Sequence, residues 1–171
     1  FAMPEEAEVG GDTTADTLRQ LRAQGVRSYY FVPDFASSEQ IWRKVFFAYL
    51  SSCTASDKTA LLMDLPQGGD CRAQIAELGE LLSVLGDNAP LVLTHEMSDA
   101  FSPMLLRAAD VLITTKEEIS SRCVDYAAGV GVQILYGGDW AGGLFPRDKK
   151  YDVSVCVATY HPDYDKLFRT L

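Results

Sequence analysis

Two apolar rhythms alternate along this chain. Short, nearly unbroken apolar or β-branched runs predict strands: Val26–Val32 (VRSYYFV), Thr59–Leu65 (TALLMDL), Pro90–Thr94 (PLVLT), Val111–Thr115 (VLITT) and Val132–Tyr136. Between them, apolar positions recur at the spacing of one helix face. Leu18 and Leu21 lie in a Thr13–Ala23 segment closed by Gly25. Ile41, Trp42, Val45, Phe46, Tyr49 and Leu50 follow a Ser37-x-x-Gln40 capping pattern. Ile75, Leu78, Leu81, Leu82 and Leu85 share a face of Arg72–Leu85, stopped by Gly86. Ser102-Pro103 starts a short helix to Ala109, and a second capping pattern, Thr115-x-x-Glu118, opens one expected to run to Ala128. Residues 1–12 read as a loose acidic lead-in, 152–159 as a further strand, and Asp163–Leu171 as the start of a helix.

Strands that alternate with helices, and that are apolar on both faces, predict an α/β fold. The expectation is a Rossmann-like, doubly wound parallel sheet of about five strands, covered on both sides. Ligands of such sheets sit beyond the carboxyl ends of the strands. The segments to watch are therefore 33–38, 64–70, 95–98, 114–118, 136–140 and 160–165. Pro/Gly-rich spacing divides the chain into the lead-in, a domain over 13–138, a linker over 139–150 and a unit starting at 151. That last piece is either the first strand and helix of a following domain or a sixth strand of the same sheet.

Composition narrows the field. The 171 residues are 47% hydrophobic and 23% charged, which is globular and excludes disorder or a coiled coil. With 15 Lys+Arg against 24 Asp+Glu, the net charge of −9 argues against a nucleic-acid partner. Four cysteines, Cys53, Cys71, Cys123 and Cys156, form no C-x-x-C pair, so reduced and mostly buried thiols are expected. No apolar run approaches a membrane span, and Phe1 in place of Met points to a trimmed start.

The common chemical fingerprints are missing. No P-loop or G-x-G-x-x-G opens a helix after a strand, and no G-x-S-x-G elbow occurs. His95-Glu96, expected just past a strand, could do acid–base work. With only His95 and His161 in the chain, a histidine metal site is not expected. Asp34, Asp64 and Thr114-Thr115-Lys116, each near a strand end, look like the acidic pocket of a phosphoacceptor receiver domain, although the acid pair after the first strand is reduced to Asp34.

Two longer stretches carry more. Ala108-Ala109-Asp110-Val111-Leu112-Ile113-Thr114-Thr115-Lys116-Glu117-Glu118, continued by Asp125-Tyr126-Ala127-Ala128-Gly129-Val130-Gly131-Val132, resembles the nucleotide-sugar-binding half of GT-B glycosyltransferases. There an A-A-D-V strand leads to an acid on the next helix, and a second acid follows eight positions later. The resemblance places the first acid, which holds a sugar hydroxyl, at Glu118. It places the second, on the ribose, at Tyr126 with Asp125 adjacent, and Thr115 beside them. Asp34 stands where the family has basic residues against the diphosphate.

Tyr151-Asp152-Val153-Ser154-Val155-Cys156-Val157-Ala158-Thr159-Tyr160-His161-Pro162, followed by Leu167-Phe168-Arg169-Thr170-Leu171, is similar to the opening of a family 2 (GT-A) glycosyltransferase domain. The resemblance puts Thr159 and Tyr160 against the nucleotide base.

Together the two resemblances imply the N-terminal segment of a bacterial glycosyltransferase in polysaccharide or glycoconjugate synthesis. Its partners would be a UDP- or GDP-linked sugar, a saccharide acceptor and a downstream glycosyltransferase domain. The setting would be cytoplasmic, at or away from the inner face of the membrane. The catalytic residues would lie outside this segment. The segment itself would hold no cofactor, while the parent would use Mn or Mg. The alternative is a non-catalytic Rossmann-like accessory module whose ligand cleft has degenerated.

Overall fold

The computed structural model describes residues 3–66, 70–137 and 145. Helix α1 (Met3–Ala23) precedes β1 (Arg27–Phe31), α2 (Ile41–Ser52), β2 (Thr59–Leu65), α3 (Arg72–Leu85) and β3 (Leu91–Glu96). Then follow α4 (Pro103–Ala108), β4 (Val111–Thr114), α5 (Glu118–Ser121), α6 (Val124–Val130) and β5 (Gln133–Tyr136). The five strands form one parallel sheet in the order β3-β2-β1-β4-β5. This is the expected Rossmann-like α/β fold. It differs from the 2-1-3-4-5 order of receiver-type sheets, which removes that reading.

Each face of the sheet has its own core. On one, Tyr29, Phe31, Leu61, Met63, Val111 and Ile113 pack under Ile41, Trp42, Val45, Phe46 and Tyr49 of α2 and Leu78 of α3. On the other, Tyr30, Leu62 and Leu112 meet Leu18 of α1, Leu105 and Leu106 of α4, and Cys123 and Ala127 of α6. The alternation within each strand makes this division. The chain steps outward from β1 to β3 with helices on the first face, and from β4 to β5 with helices on the second. The crossovers therefore share one hand, as expected of parallel βαβ units. Phe145 also reaches the first core, with its ring 4.9 Å from Tyr29 and 5.0 Å from Tyr49, edge-on to both.

Several local expectations change. The first helix begins at Met3 rather than Thr13. Pro4, at the second helical position, is tolerated in a first turn. Ser37 does not cap α2. Gln40, at the N-cap, has φ 49°, and the Asp34 carboxylate takes the amides of Ala36 (3.0 Å) and Ser37 (3.2 Å) instead. The helix expected from Glu118 to Ala128 is two short ones, broken at Arg122–Cys123. Strand β3 runs through His95 and Glu96, so these are strand residues rather than loop residues. Among the described residues, no helix is long and apolar enough to cross a membrane. Cys53 and Cys123 are buried and Cys71 is half-buried, and no disulfide joins any two of them.

Candidate functional site

The order β3-β2-β1-β4-β5 fixes where a crevice must open. β1 and β4 are neighbours, yet the chain leaves them toward opposite faces, so their carboxyl ends diverge into a switch point. Residues 33–40 form one wall and residues 115–120 the other.

The second wall is tied by two hydroxyls. The Thr115 amide donates to Ser120 Oγ at 2.9 Å, and the two hydroxyls lie 2.6 Å apart. Thr115 Oγ1 also accepts the Glu117 amide at 3.1 Å, and Ser120 Oγ donates to the Glu117 carbonyl at 3.1 Å. Thr115 and Ser120 are both buried. This turn replaces the expected capping box: Thr115 caps Glu117 and makes no cap with Glu118. Thr115, placed near the ligand by sequence reasoning, is spent on holding the turn.

That turn drives Glu117 inward. It is only 8% exposed, and its Oε1 is buried without a hydrogen-bond partner. Burial raises its pKa above the ordinary glutamate value, and the charges of Asp34 and Glu39 raise it further. The hydroxyls of Ser37 and Thr115 pull the other way without cancelling the effect. Lys116 Nζ meets Glu39 Oε2 at 2.6 Å, so an ion pair bridges the two walls. The crevice thus holds Asp34, Glu39 and Glu117 against one lysine that already has a carboxylate.

Glu118 faces the other way. It pairs with Arg122 at 2.9 Å on the surface, with 83% of its side chain exposed. Glu118, the acid that the resemblance places on the sugar, is thus on the surface, while the hydroxyl-tied turn puts its neighbour Glu117 at the crevice. Eight positions on from Glu117 stands Asp125, a carboxylate, whereas eight on from Glu118 stands Tyr126. Asp125 is exposed in the first turn of α6, and Tyr126 packs on Phe101 at 5.5 Å. Thr159 and Tyr160 lie outside the described residues.

Asp110, the acid of the A-A-D-V run, works at the opposite end of the sheet. It accepts the amide and hydroxyl of Ser28 at 2.9 and 3.1 Å and pairs with Arg22 at 2.8 Å. Its role is to join the amino ends of β1 and β4. A cavity of about 490 Å³ beyond β2 and β3, lined by Leu65, Pro66, Asp70, Cys71, Arg72, Ile75 and Glu96, is a second concave place. Its one guanidinium is gripped by Asp70 at 2.9 Å. Among the described residues, no three His, Cys, Asp or Glu side chains converge as a metal ion requires.

No family model, curated protein or solved structure matches this chain.

Proposed function

We propose that this chain is a segment of a glycosyltransferase that uses a nucleotide-activated sugar, and that its α/β domain holds hydroxyl groups of the ligand at Glu117. The observation that carries this reading is the buried, unpartnered Oε1 of Glu117 at the switch point. A buried acceptor without a donor is costly, and a ligand hydroxyl supplies the missing hydrogen bond. When ionised, Glu117 accepts from two adjacent hydroxyls, as found on a sugar or ribose ring. Ser37 and Thr115 orient the carboxylate, and Lys116, drawn off Glu39, is the group that can meet a phosphate.

The divalent ion that the resemblance implies belongs to the parent, and among the described residues no cluster of His, Cys, Asp or Glu side chains would hold it. No step is derived through such an ion. In this reading the bond-making and bond-breaking groups belong to the parent's other residues. In saturation-transfer spectra with UDP-glucose, sugar and ribose protons should receive magnetisation from the wild-type chain. Glu117→Gln should lose the transfer and Glu118→Gln should keep it; equal transfer in both variants would reject Glu117.

One observation favours an accessory module with no nucleotide ligand. Asp34, Glu39 and Glu117 together repel a diphosphate, and the nearby Lys116 is committed to Glu39. Under that reading UDP-glucose gives no transfer to any form of the chain.

A further inference from the structure

A second cluster of polar groups lies on the same carboxyl edge, three strand spacings or roughly 14 Å from the β4 end. The register of β2 and β3 sets Asp64 directly beside His95. Asp64 is fully buried, and both of its oxygens are used. Oδ1 lies 2.7 Å from His95 Nδ1. Oδ2 accepts the Tyr30 hydroxyl and, at 3.1 Å, the Ser102 amide. The Ser102 amide also lies 3.0 Å from the Tyr30 oxygen. Burial and the Asp64 charge keep the Tyr30 phenol protonated far above its usual range, so it remains a donor to Asp64.

This arrangement decides the tautomer of His95. A carboxylate that already accepts from Tyr30 and Ser102 accepts again from Nδ1–H, which leaves the lone pair of the neutral ring on Nε2. No hydrogen bond among the described residues involves Nε2, and 15% of the side chain stays accessible. Ser102 Oγ is 3.5 Å from Nδ1, on the carboxylate side of the ring, so it is not placed as a nucleophile for Nε2 to deprotonate. What remains is an imidazole anchored by a buried carboxylate, with one open basic nitrogen at the end of a parallel strand. The carboxyl of Asp64 beneath the ring and the net charge of −9 disfavour an anionic ligand group at this place.

We propose that His95 is a second ligand-binding position, where Nε2 accepts a hydrogen bond from a hydroxyl of a saccharide, with Asp64 as its positioning residue and Tyr30 holding Asp64. Only the class of ligand rests on the function proposed above; the position and its chemistry do not involve Glu117. The full chain serves for the test. Long-range proton–nitrogen spectra, assigned with His95→Gln, should show the Nδ1–H tautomer for His95, and Asp64→Asn should mix the tautomers. Diethyl pyrocarbonate, which reacts with an unprotonated imidazole nitrogen, should modify His95 in the folded chain, and glucose should slow that reaction. Asp64→Asn should slow it roughly tenfold, the scale of losing one hydrogen bond to a charged group. An Nε2–H tautomer, or a rate unchanged by Asp64→Asn, would overturn the dyad. Absence of protection by glucose at millimolar concentrations would overturn the saccharide assignment. Glu117→Gln separates the two proposals: loss of UDP-glucose binding with glucose protection of His95 intact supports both sites. UDP-glucose binding that is unaltered by Glu117→Gln overturns only the first.

Discussion

Glu117 and Glu118 are adjacent in sequence and opposite in environment. One is buried at the β1–β4 crevice with an unpartnered oxygen, and the other reaches Arg122 at 2.9 Å in solvent. The turn tied by Thr115 and Ser120 produces the difference, and it sets the pH behaviour of Glu117. Burial raises the pKa of Glu117 above its unfolded value, so folding binds that proton more tightly. The resulting stabilisation is complete below the ordinary glutamate range and is lost as pH rises through the raised value. Glu117→Gln should therefore melt higher than wild type at pH 7.5, with the gap closing toward pH 4. Glu118→Gln should stay within about 0.5 kcal/mol of wild type throughout, as exposed ion pairs do. Thermal melts at the two pH values decide this.

Asp64 is the acceptor for three donors drawn from β1, β3 and the start of α4. Asp64→Ala should cost about 3–5 kcal/mol, since the Tyr30, His95 and Ser102 donors lose their acceptor in a buried place. Tyr30→Phe removes one donor and should cost about 1–3 kcal/mol. Urea denaturation measures both, and a loss below 1 kcal/mol for Asp64→Ala would contradict the network.

Phe145 is 3% exposed and packs edge-on against Tyr29 and Tyr49. Phe145→Ala should destabilise the domain by about 3–5 kcal/mol, the range for emptying an aromatic site in a core. Equilibrium denaturation of the full chain tests it. A change near zero would show that this residue contributes little to the first core.

Asp110→Ala should cost about 1–3 kcal/mol by releasing the Ser28 amide and hydroxyl and the Arg22 guanidinium. Because Asp110 sits at the amino ends of the strands, ligand binding at the crevice should be unchanged in the folded variant, which calorimetry can check.

The elements that were readable in sequence are those governed by local chemistry. TALLMDL became β2 with the expected bounds, and Arg72–Leu85 became α3, stopped at Gly86 with φ 56°. Where sequence reading failed, a non-local or competing hydrogen bond decided the outcome. Asp34 captured the Ser37 amide that Gln40 would take in a capping box, and Ser120 captured Thr115. His95 and Glu96 looked like loop because β3 is an edge strand that carries polar residues at its end. The pairing of Asp64 with His95, 31 positions apart, depends on strand register, which no local pattern encodes. The spacing of Glu117 to Asp125 is plain in the sequence, but the inward turn that puts Glu117 at the crevice needs Ser120.

Glu117 is proposed above as the carboxylate that meets a nucleotide-linked sugar. Calorimetric titration of the chain with UDP-glucose, UDP and GDP, with and without Mn²⁺, tests it most directly. Saturable binding of a UDP- or GDP-type ligand by the wild-type chain and by Glu118→Gln, and its loss in Glu117→Gln, are expected. Binding that survives Glu117→Gln, or no heat from any nucleotide up to millimolar concentration, would contradict it.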